Sequence, residues 1–252
     1  MQKKELIAAL EDKLSVSSFT DFSNNGLQVD SRRDDIRKVC TGVDATLPFL
    51  EAAAAAGADL AICHHGISWG SSLRHISGLN YRLVKFLFDN DLALWACHLP
   101  LDAHPELGNN AGVCNALGLV DRRPFGDVNG QIIGFAGRLP APLPRDAFAD
   151  LLRARVGRHL HEAPFGRERI ETVGVLTGGA ASMVTQAIDA GLDAYVNGEM
   201  NLTGYNASLQ GGMNFYAAGH YATERFGVRA LGDWIANQFG LEHQFIDFDL
   251  PW

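Results

Sequence analysis

The chain has 252 residues, of which 47% are hydrophobic and 20% are charged, so it is long enough for one large or two modest globular domains. Its net charge of −8 disfavours general nucleic-acid binding, which needs a basic surface. The apolar runs are too short to span a bilayer, and the first ten residues lack the apolar core and cleavage site of a signal peptide. We therefore expect a cytoplasmic protein without a membrane partner.

The cysteines form no CxxC pair and fall mostly within apolar segments. Disulfides are rare in the cytosol, and buried thiols behave as small hydrophobic groups. We therefore expect reduced, buried cysteines rather than a disulfide framework or a metal knuckle. The residues are Cys40, Cys63, Cys97 and Cys114.

The first predicted elements are an amphipathic helix over residues 3–14 and a short strand over residues 27–29. Between them, Asn24-Asn25-Gly26 is a strong turn signal. A plain turn is the simpler interpretation, although Asn25 could also orient a neighbouring ligand.

From residue 36 the pattern becomes strand, helix and strand, over residues 39–43, 46–56 and 59–63. Gly57 is predicted to end the helix as a C-terminal cap. Strands that alternate with helices of this length predict parallel βαβ units.

His64 and His65 directly follow the second of these strands, and Gly66 comes next. In open α/β sheets, ligands bind where strands end. Adjacent residues within a strand point to opposite faces, but at a strand end both rings could reach one cleft from different sides. That arrangement favours a pair of metal ions, whereas the alternative is a core histidine beside a loop histidine.

A helix over residues 80–90 and a strand over residues 92–97 come next. His98 and Asp102 stand just past that strand, and Asp102 is a hard oxygen donor at the same sheet edge. Pro100 lies between them and is expected to prevent a helix, so their spacing of four is not expected to form a helical face.

Residues 122–130 are polar and rich in turn formers, and we place a domain boundary there. A strand over residues 131–139 and a helix over residues 145–156 follow. His159 and His161 lie beyond them. Their HxH spacing could hold a metal, but a strand with both rings on its solvent face explains it about as well.

Residues 172–199 repeat the earlier order of strand, helix, glycine cap and strand, at an offset of 134 positions. In this second half, Thr177-Gly178-Gly179 lies at a strand-to-helix turn, where backbone N–H groups could hold a phosphate or glycine could simply permit a tight turn. Glu199 ends the second strand of the repeat and is a candidate pocket acid. The coinciding pairs are Val39 and Val173, Ala53 and Ala187, Ala56 and Ala190, Gly57 and Gly191, and Asp59 and Asp193.

The last clear buried strand is predicted over residues 214–218, before a helix from His220 to about Phe239. His220 and Glu224 are four residues apart, which places them on one helical face. A strand over residues 244–248 closes the chain.

These elements predict an α/β protein with two related α/β domains, whose mostly parallel sheets are flanked by helices. We assign residues 1–125 together with 214–252 to a metal-binding domain, and residues 126–213 to a second domain.

Imidazoles and carboxylates at the strand ends suit zinc, iron, manganese or nickel, and the sequence does not identify the metal. One catalytic zinc usually takes three protein ligands, so the larger number found here fits two divalent ions that share a carboxylate, with Glu224 as the bridge. Two ions could activate water for hydrolysis. The candidate ligands are His64, His65, Asp102, His220 and Glu224, with His98 and Glu199 close by as candidate catalytic residues.

Several familiar hydrolase motifs are absent from the sequence, which argues against those classes of enzyme. They are HExxH, the HxHxDH run of metallo-β-lactamases, and the GxSxG nucleophile elbow.

Five segments together resemble the Nif-three-like dinuclear metal family, and the resemblance covers nearly the whole chain in order. The paired HHG and GHxxTE motifs are the specific part of the match. Many members have His-Thr where this chain has His98-Leu99, which leaves the role of His98 open. The segments read HHGISWG, HLPLDAHPELGNNAG, GVLTGGA, YVNGE and GHYATERFGV.

The resemblance implies two linked α/β domains in a toroidal homohexamer, with the metal sites facing an internal cavity. It also implies that the five candidate ligands hold two divalent metals, and that Glu224 bridges them. Members are often described as GTP cyclohydrolase I type 2, which implies attack of water on C8 of the guanine ring of GTP and release of formate.

Two functions follow from these observations. The first is a dinuclear metal-dependent hydrolase that acts on a small molecule such as a nucleotide, with GTP as the family's implied substrate. The alternative is a metal-binding hexameric scaffold or metallochaperone without cyclohydrolase activity.

Overall fold

The computed structural model describes residues 1–248 and residue 250 of the chain. Contacts between Cα atoms divide it into a first unit, Met1–Leu101 with Gly227–Phe248, and a second unit that contains Asp102–Phe226. The sequence predicted boundaries at residues 126 and 214. The contacts instead assign residues 102–125 and 214–226 to the second unit.

The helices and strands are numbered in chain order. The helices are α1 (Lys3–Lys13), α2 (Leu47–Ala55), α3 (Gly78–Asp89), α4 (Leu99–Ala103), α5 (Asn109–Ala116), α6 (Arg145–Arg155), α7 (Val184–Asp189), α8 (Leu202–Gly211) and α9 (His220–Phe239). The strands are β1 (Gly26–Val29), β2 (Lys38–Asp44), β3 (Leu60–His65), β4 (Ala93–Ala96), β5 (Val120–Val128), β6 (Gln131–Pro144), β7 (His161–Pro164), β8 (Arg169–Val175), β9 (Ala194–Asn197), β10 (Asn214–Ala217) and β11 (Glu242–Phe245).

The sheet of the first unit has the strand order β1-β4-β3-β2-β11. Strands β4, β3, β2 and β11 run parallel, and β1 is antiparallel to β4. The carboxyl ends of β2, β3 and β4 therefore meet at one edge, which is where ligands bind in α/β sheets. The predicted βαβ connections are confirmed in this unit.

Helix α2 shows how the sequence sets this local structure. Thr46 caps its N-terminus by accepting a hydrogen bond from the Phe49 backbone N–H at 3.4 Å. Gly57 follows its C-terminus with φ +76°, a conformation that favours glycine. A Cβ at Gly42 on β2 would come within 2.4 Å of the Phe49 ring, so glycine lets the helix pack closely on the strand.

The sheet of the second unit has the strand order β5-β6-β8-β9-β10-β7. Only its central strands β8, β9 and β10 are parallel to one another, and the remaining pairings among the described residues are antiparallel. The expectation of mostly parallel sheets holds for the first unit, but both sheets are mixed and the second is mainly antiparallel. The reason is that β5 and β6 form an antiparallel hairpin at one side of the parallel core, and β7 pairs antiparallel with β10 at the other side.

Residues 122–130, where the polar composition indicated a boundary, lie in strand β5 and the turn that joins it to β6. Asn129 and Gly130 form this turn with φ 55° and φ 83°, values typical of a tight hairpin. Strand β5 has its polar residues on an exposed sheet edge, which explains why its composition resembles that of a linker.

The repeat is visible in the hydrogen bonds as well as in the order of elements. In the first unit, Asp59 Oδ2 accepts hydrogen bonds from the backbone N–H groups of Arg37 at 2.8 Å and Lys38 at 3.1 Å. Its other carboxylate oxygen lies 2.6 Å from the Arg33 guanidinium. This carboxylate therefore ties the start of β3 to the start of β2.

Asp193 makes the same set of contacts in the second unit. Its Oδ2 accepts from the backbone N–H groups of Glu171 at 3.1 Å and Thr172 at 2.9 Å, and Oδ1 lies 3.1 Å from Arg167. Every partner stands 134 positions after its counterpart in the first unit. The two α/β halves are therefore related in their detailed interactions.

Helix α4 corrects one expectation. Pro100 was expected to prevent a helix, but it is the second residue of α4, where a missing backbone N–H costs no intrahelical hydrogen bond. Asp102 accordingly lies within a helical turn.

The four cysteines are buried thiols, as expected. Burial raises the pKa of Cys114 to about 12, which keeps its thiol protonated at neutral pH. Over residues 1–248 and residue 250, the structure contains no helix with both the length and the apolar character to cross a membrane.

Candidate metal centre

Two adjacent histidines form the carboxyl end of β3 in the first unit. His64 is fully buried, and the side chain of His65 is 19% exposed. Their ring centroids lie 4.6 Å apart, with an angle of 45° between the ring planes. At this strand end the two adjacent side chains no longer point to opposite faces of the sheet. Their rings lie next to each other, as the sequence indicated.

Hydrogen bonds determine which nitrogen of each ring carries the lone pair that a metal ion would bind. Nδ1 of His64 lies 3.0 Å from the carbonyl oxygen of Cys97, and Nδ1 of His65 lies 2.8 Å from Oδ1 of Asp44. Carbonyl and carboxylate oxygens only accept hydrogen bonds, so Nδ1 holds the proton and Nε2 the lone pair in both neutral rings. Both histidines therefore offer Nε2 as the ligand atom.

His98 has the same kind of support. Its Nδ1 lies 2.9 Å from Oδ1 of Asp21, and its backbone N–H donates to Oδ1 of Asn25 at 2.8 Å. Asn25 also donates from its side chain to Oδ2 of Asp21 at 3.0 Å. The predicted turn at Asn25 is therefore more than a plain turn, because it fixes the segment that contains His98.

Asp21 is a buried carboxylate with many donors around it. Burial raises its pKa, but the hydrogen bond and charge of His98, together with the hydrogen bonds of Asn25 and Ser23, outweigh that effect and hold the pKa well below its ordinary value. Asp21 is therefore ionised at neutral pH and is suited to orient His98. Such carboxylates commonly fix metal-binding or catalytic histidines.

The three histidines form a group that could hold a metal ion, since one ligand nitrogen from each lies within 4.8 Å of the others. The rings of His64 and His98 are 5.1 Å apart, and those of His65 and His98 are 5.6 Å apart. The Trp69 ring packs against them, with its centroid 5.1 Å from that of His98. His98 is therefore a candidate metal ligand as well as a candidate catalytic residue.

The second unit supplies carboxylates. Asp102 is buried, and its Oδ1 accepts hydrogen bonds from the Asn109 side chain at 2.8 Å and from Thr177 Oγ1 at 3.4 Å. Carboxylate oxygens of Asp102 and Glu224 lie within 4.8 Å of each other. Two acids on α4 and α9, far apart in the sequence, therefore meet within this unit.

His220 lies between two glutamates. Its Nε2 is 3.1 Å from Oε2 of Glu224, and its Nδ1 is 2.6 Å from Oε1 of Glu199. Burial lowers the pKa of His220, but the hydrogen bonds and negative charges of Glu224 and Glu199 outweigh it and raise the pKa to about 9. The same negative charge favours a bound cation.

The glycines after β8 have a packing role in this site. A Cβ at Gly178, which has φ +69°, would come within 2.1 Å of Oε1 of Glu224. The backbone N–H of Thr177 donates to Asn110 Oδ1 at 2.8 Å, and that of Gly178 donates to Thr223 Oγ1 at 3.1 Å. Because these groups already have partners within the protein, the structure favours the tight turn over the phosphate-binding turn.

His159 and His161 belong to none of the candidate metal-binding groups of the described residues, and both are exposed. Only His161 belongs to strand β7. Both residues line a cavity that also contains Glu199.

Sequence reasoning found the histidines and acids but missed the carboxylates that orient them. Asp44 and His65 are paired across β2 and β3, so the predicted parallel strands contained the signal for that contact. Asp21 had no comparable signal, because nothing local in the sequence relates it to His98.

The comparisons with known proteins agree on one family. A family model described as Duf34/NIF3 (NGG1p interacting factor 3) matches residues 1–251. A Deinococcus radiodurans protein named GTP cyclohydrolase 1 type 2 homolog is 42% identical over 246 residues, which is 98% of this chain and 93% of that protein.

Solved structures show the same fold. The structure of protein ybgI is 37% identical in sequence and matches with a TM-score of 0.93 over 100% of both chains. TTHA1606 from Thermus thermophilus is 33% identical and matches with a TM-score of 0.91 over 99% of both chains. The resemblance inferred from the motifs is confirmed, and the chain belongs to the Duf34/NIF3 family.

Proposed function

We propose that the protein is a dinuclear metal-dependent hydrolase that opens the guanine ring of GTP and releases formate. The main support is that each unit presents a group of donors already oriented by hydrogen bonds. The first unit offers imidazoles on β3 and after β4, and the second offers two carboxylates and an imidazole.

The chemistry of these donors fits divalent transition metals, because imidazole nitrogen and carboxylate oxygen suit zinc, iron, manganese and nickel. These residues would hold two ions, and the carboxylate of Glu224 would be shared between them. The proposed ligands are His64, His65, Asp102, His220 and Glu224.

When bound, such a pair of ions supplies Lewis acidity and activates water. Glu199 is half-exposed, and its carboxylate contacts Nδ1 of His220. It can therefore accept or donate a proton next to the proposed ligands. His98 holds a lone pair on Nε2 when neutral, because Asp21 keeps the proton on Nδ1, so it can accept a proton there. We propose Glu199 and His98 as the residues that transfer protons.

The substrate is proposed from the curated relatives, which are named GTP cyclohydrolase 1 type 2 homolog. Addition of water to C8 and cleavage of the C8–N9 bond would give an opened formamide, and a second water would release formate. Each step needs a proton moved between oxygen and nitrogen, which is the role of Glu199 and His98. The proposed assembly is a homohexamer, as the family resemblance implies.

The test is turnover by purified protein loaded in turn with zinc, iron, manganese and nickel. Formate release from GTP would support the proposal. Absence of turnover on GTP and on a panel of nucleotides and phosphoesters, with two metals bound per chain, would instead favour the scaffold or metallochaperone. Light scattering on the same samples should give about six times the 27.3 kDa mass of one chain.

A further inference from the structure

We propose that a cavity in the second unit binds the heteroaromatic ring of the substrate beside Glu199, with Tyr205 as the stacking surface. The inference rests on the proposed function for the identity of the ring, but it concerns residues outside the metal ligands. It also assigns a role to His159 and His161, which the metal chemistry does not use.

The cavity has the size and place of a ligand site. Its volume is about 610 Å³, within the range of small-molecule pockets. Gly198 and Glu199 follow β9, and Gly219 follows β10, so the cavity opens at the carboxyl ends of two parallel strands. This is the edge at which α/β sheets bind ligands. The lining residues are His159, His161, Gly198, Glu199, Met200, Asn201, Leu202, Tyr205 and Gly219.

One wall of the cavity is apolar and belongs to helix α8. Leu202 is 76% exposed and Tyr205 is 39% exposed. The Tyr205 ring meets the Phe165 ring at 83°, with centroids 5.2 Å apart. In such an edge contact, Phe165 covers at most one face of Tyr205. A rigid aromatic face that lines a cavity suits stacking of a planar ring.

The cavity also has polar lining residues. Glu199 provides a carboxylate that accepts hydrogen bonds, and His159 and His161 add ring nitrogens, of which His159 Nε2 already accepts from Arg158 Nε at 3.3 Å. A heteroaromatic base has N–H donors and lone-pair acceptors around its edge. It can therefore form hydrogen bonds with the polar residues while its face packs against the apolar wall. A purely aliphatic ligand would leave the polar groups without partners, which costs affinity.

The backbone joins this cavity to the metal-binding helix. A Cβ at Gly198 would lie 2.8 Å from the Cα of His220 and 2.7 Å from the carbonyl oxygen of Gly178, so glycine allows the end of β9 to pack against the start of α9. Tyr205 and Glu199 line this same cavity, and the Glu199 carboxylate contacts His220. This places the base next to the residue proposed to transfer protons.

The experiment measures binding of guanosine, GTP and tripolyphosphate to the full-length protein by calorimetry, with and without bound zinc. Tyr205→Ala should weaken guanosine and GTP binding by about tenfold or more, the range expected for one base–aromatic stack, and leave tripolyphosphate binding unchanged. Tyr205→Phe should bind like the wild type. Leu209→Ala is the matched control, because Leu209 is 53% exposed on the same helix and does not line the cavity.

Leu202→Glu is a second variant at a highly exposed position, which keeps the test informative if Tyr205→Ala does not fold. It should also weaken guanosine binding, because it places a charge in the apolar wall. Unchanged guanosine affinity in both variants, or equal loss in Leu209→Ala, would overturn the inference. If GTP is not turned over but guanosine binding still depends on Tyr205, the hydrolase proposal fails and the binding site stands.

Discussion

Asp21 and His98 are 77 positions apart in the chain, yet they form a carboxylate–imidazole pair with Oδ1 and Nδ1 2.9 Å apart. The side chain of Asp21 is only 3% exposed, and the backbone N–H of Leu99 donates to its second oxygen at 2.9 Å. The loop before β1 therefore determines the orientation of the histidine after β4.

We expect Asp21→Asn to lower GTP turnover by about 10- to 100-fold, because a neutral amide with one acceptor oxygen orients His98 and its Nδ1 proton less strongly than the carboxylate does. Stability should fall as well, by about 1–3 kcal/mol, since several donors lose a charged acceptor. Turnover assays and urea denaturation would measure both effects. Asp12→Asn, at an exposed position on α1, should change neither. Wild-type turnover in Asp21→Asn would remove Asp21 from the positioning role.

Glu224→Ala should lose both metals together, because one carboxylate is proposed to contact both ions. His65→Ala should weaken mainly one of them. Metal content per chain, measured by elemental analysis after dialysis, separates the two outcomes. His75→Ala, at an exposed position outside the candidate metal-binding groups, is the control. Unchanged metal content in Glu224→Ala would contradict the bridging assignment.

His98→Gln distinguishes proton transfer from metal binding. If His98 transfers protons, the variant should retain two metals per chain and lose turnover by about 100-fold or more, since a general base contributes on that order. If the variant loses one metal, His98 is a ligand, which the grouping of its ring with His64 and His65 would also permit.

The two repeats predict matching effects at Asp59 and Asp193. Asp59→Asn and Asp193→Asn should each destabilise the protein by about 1.5–3 kcal/mol at pH 7, because each carboxylate accepts two backbone hydrogen bonds and pairs with an arginine. Asp189→Asn, an exposed change on α7, should have no comparable effect. Urea denaturation of the three variants would measure this.

Asp59 and Asp193 also predict how the stability of the protein depends on pH. Burial raises the pKa of Asp193, but hydrogen bonds from Thr172 and Glu171 and the charge of Arg167 outweigh this effect, so the folded pKa lies below 3.8. The pKa of Asp59 is lowered in the same way. The stabilisation is therefore present above about pH 4 and is lost as the pH falls through the folded pKa. The difference in unfolding free energy between wild type and each variant should shrink below pH 4. A difference that stays constant to pH 3 would contradict this account.

Much of this architecture was predictable because it depends on local patterns. The strand–helix–strand order, the cap at Gly57, the helix from His220 to Phe239 and the pairing of His220 with Glu224 follow from periodicity and from residues close in sequence. The 134-residue repeat was also readable, since coincident glycines and aspartates mark the same turns.

The tertiary structure decided what depends on strand order and register. The contacts of Asp21 with His98, of Asp44 with His65 and of Asp102 with Asn109 join residues through the fold, and periodicity does not encode which loops meet. Strand β5 was hidden by its polar composition, because an edge strand needs few apolar residues. The sequence by itself determined the family and the candidate metal ligands. Only the folded chain determined which carboxylate or carbonyl orients each candidate ligand, because that depends on neighbours brought together by sheet pairing.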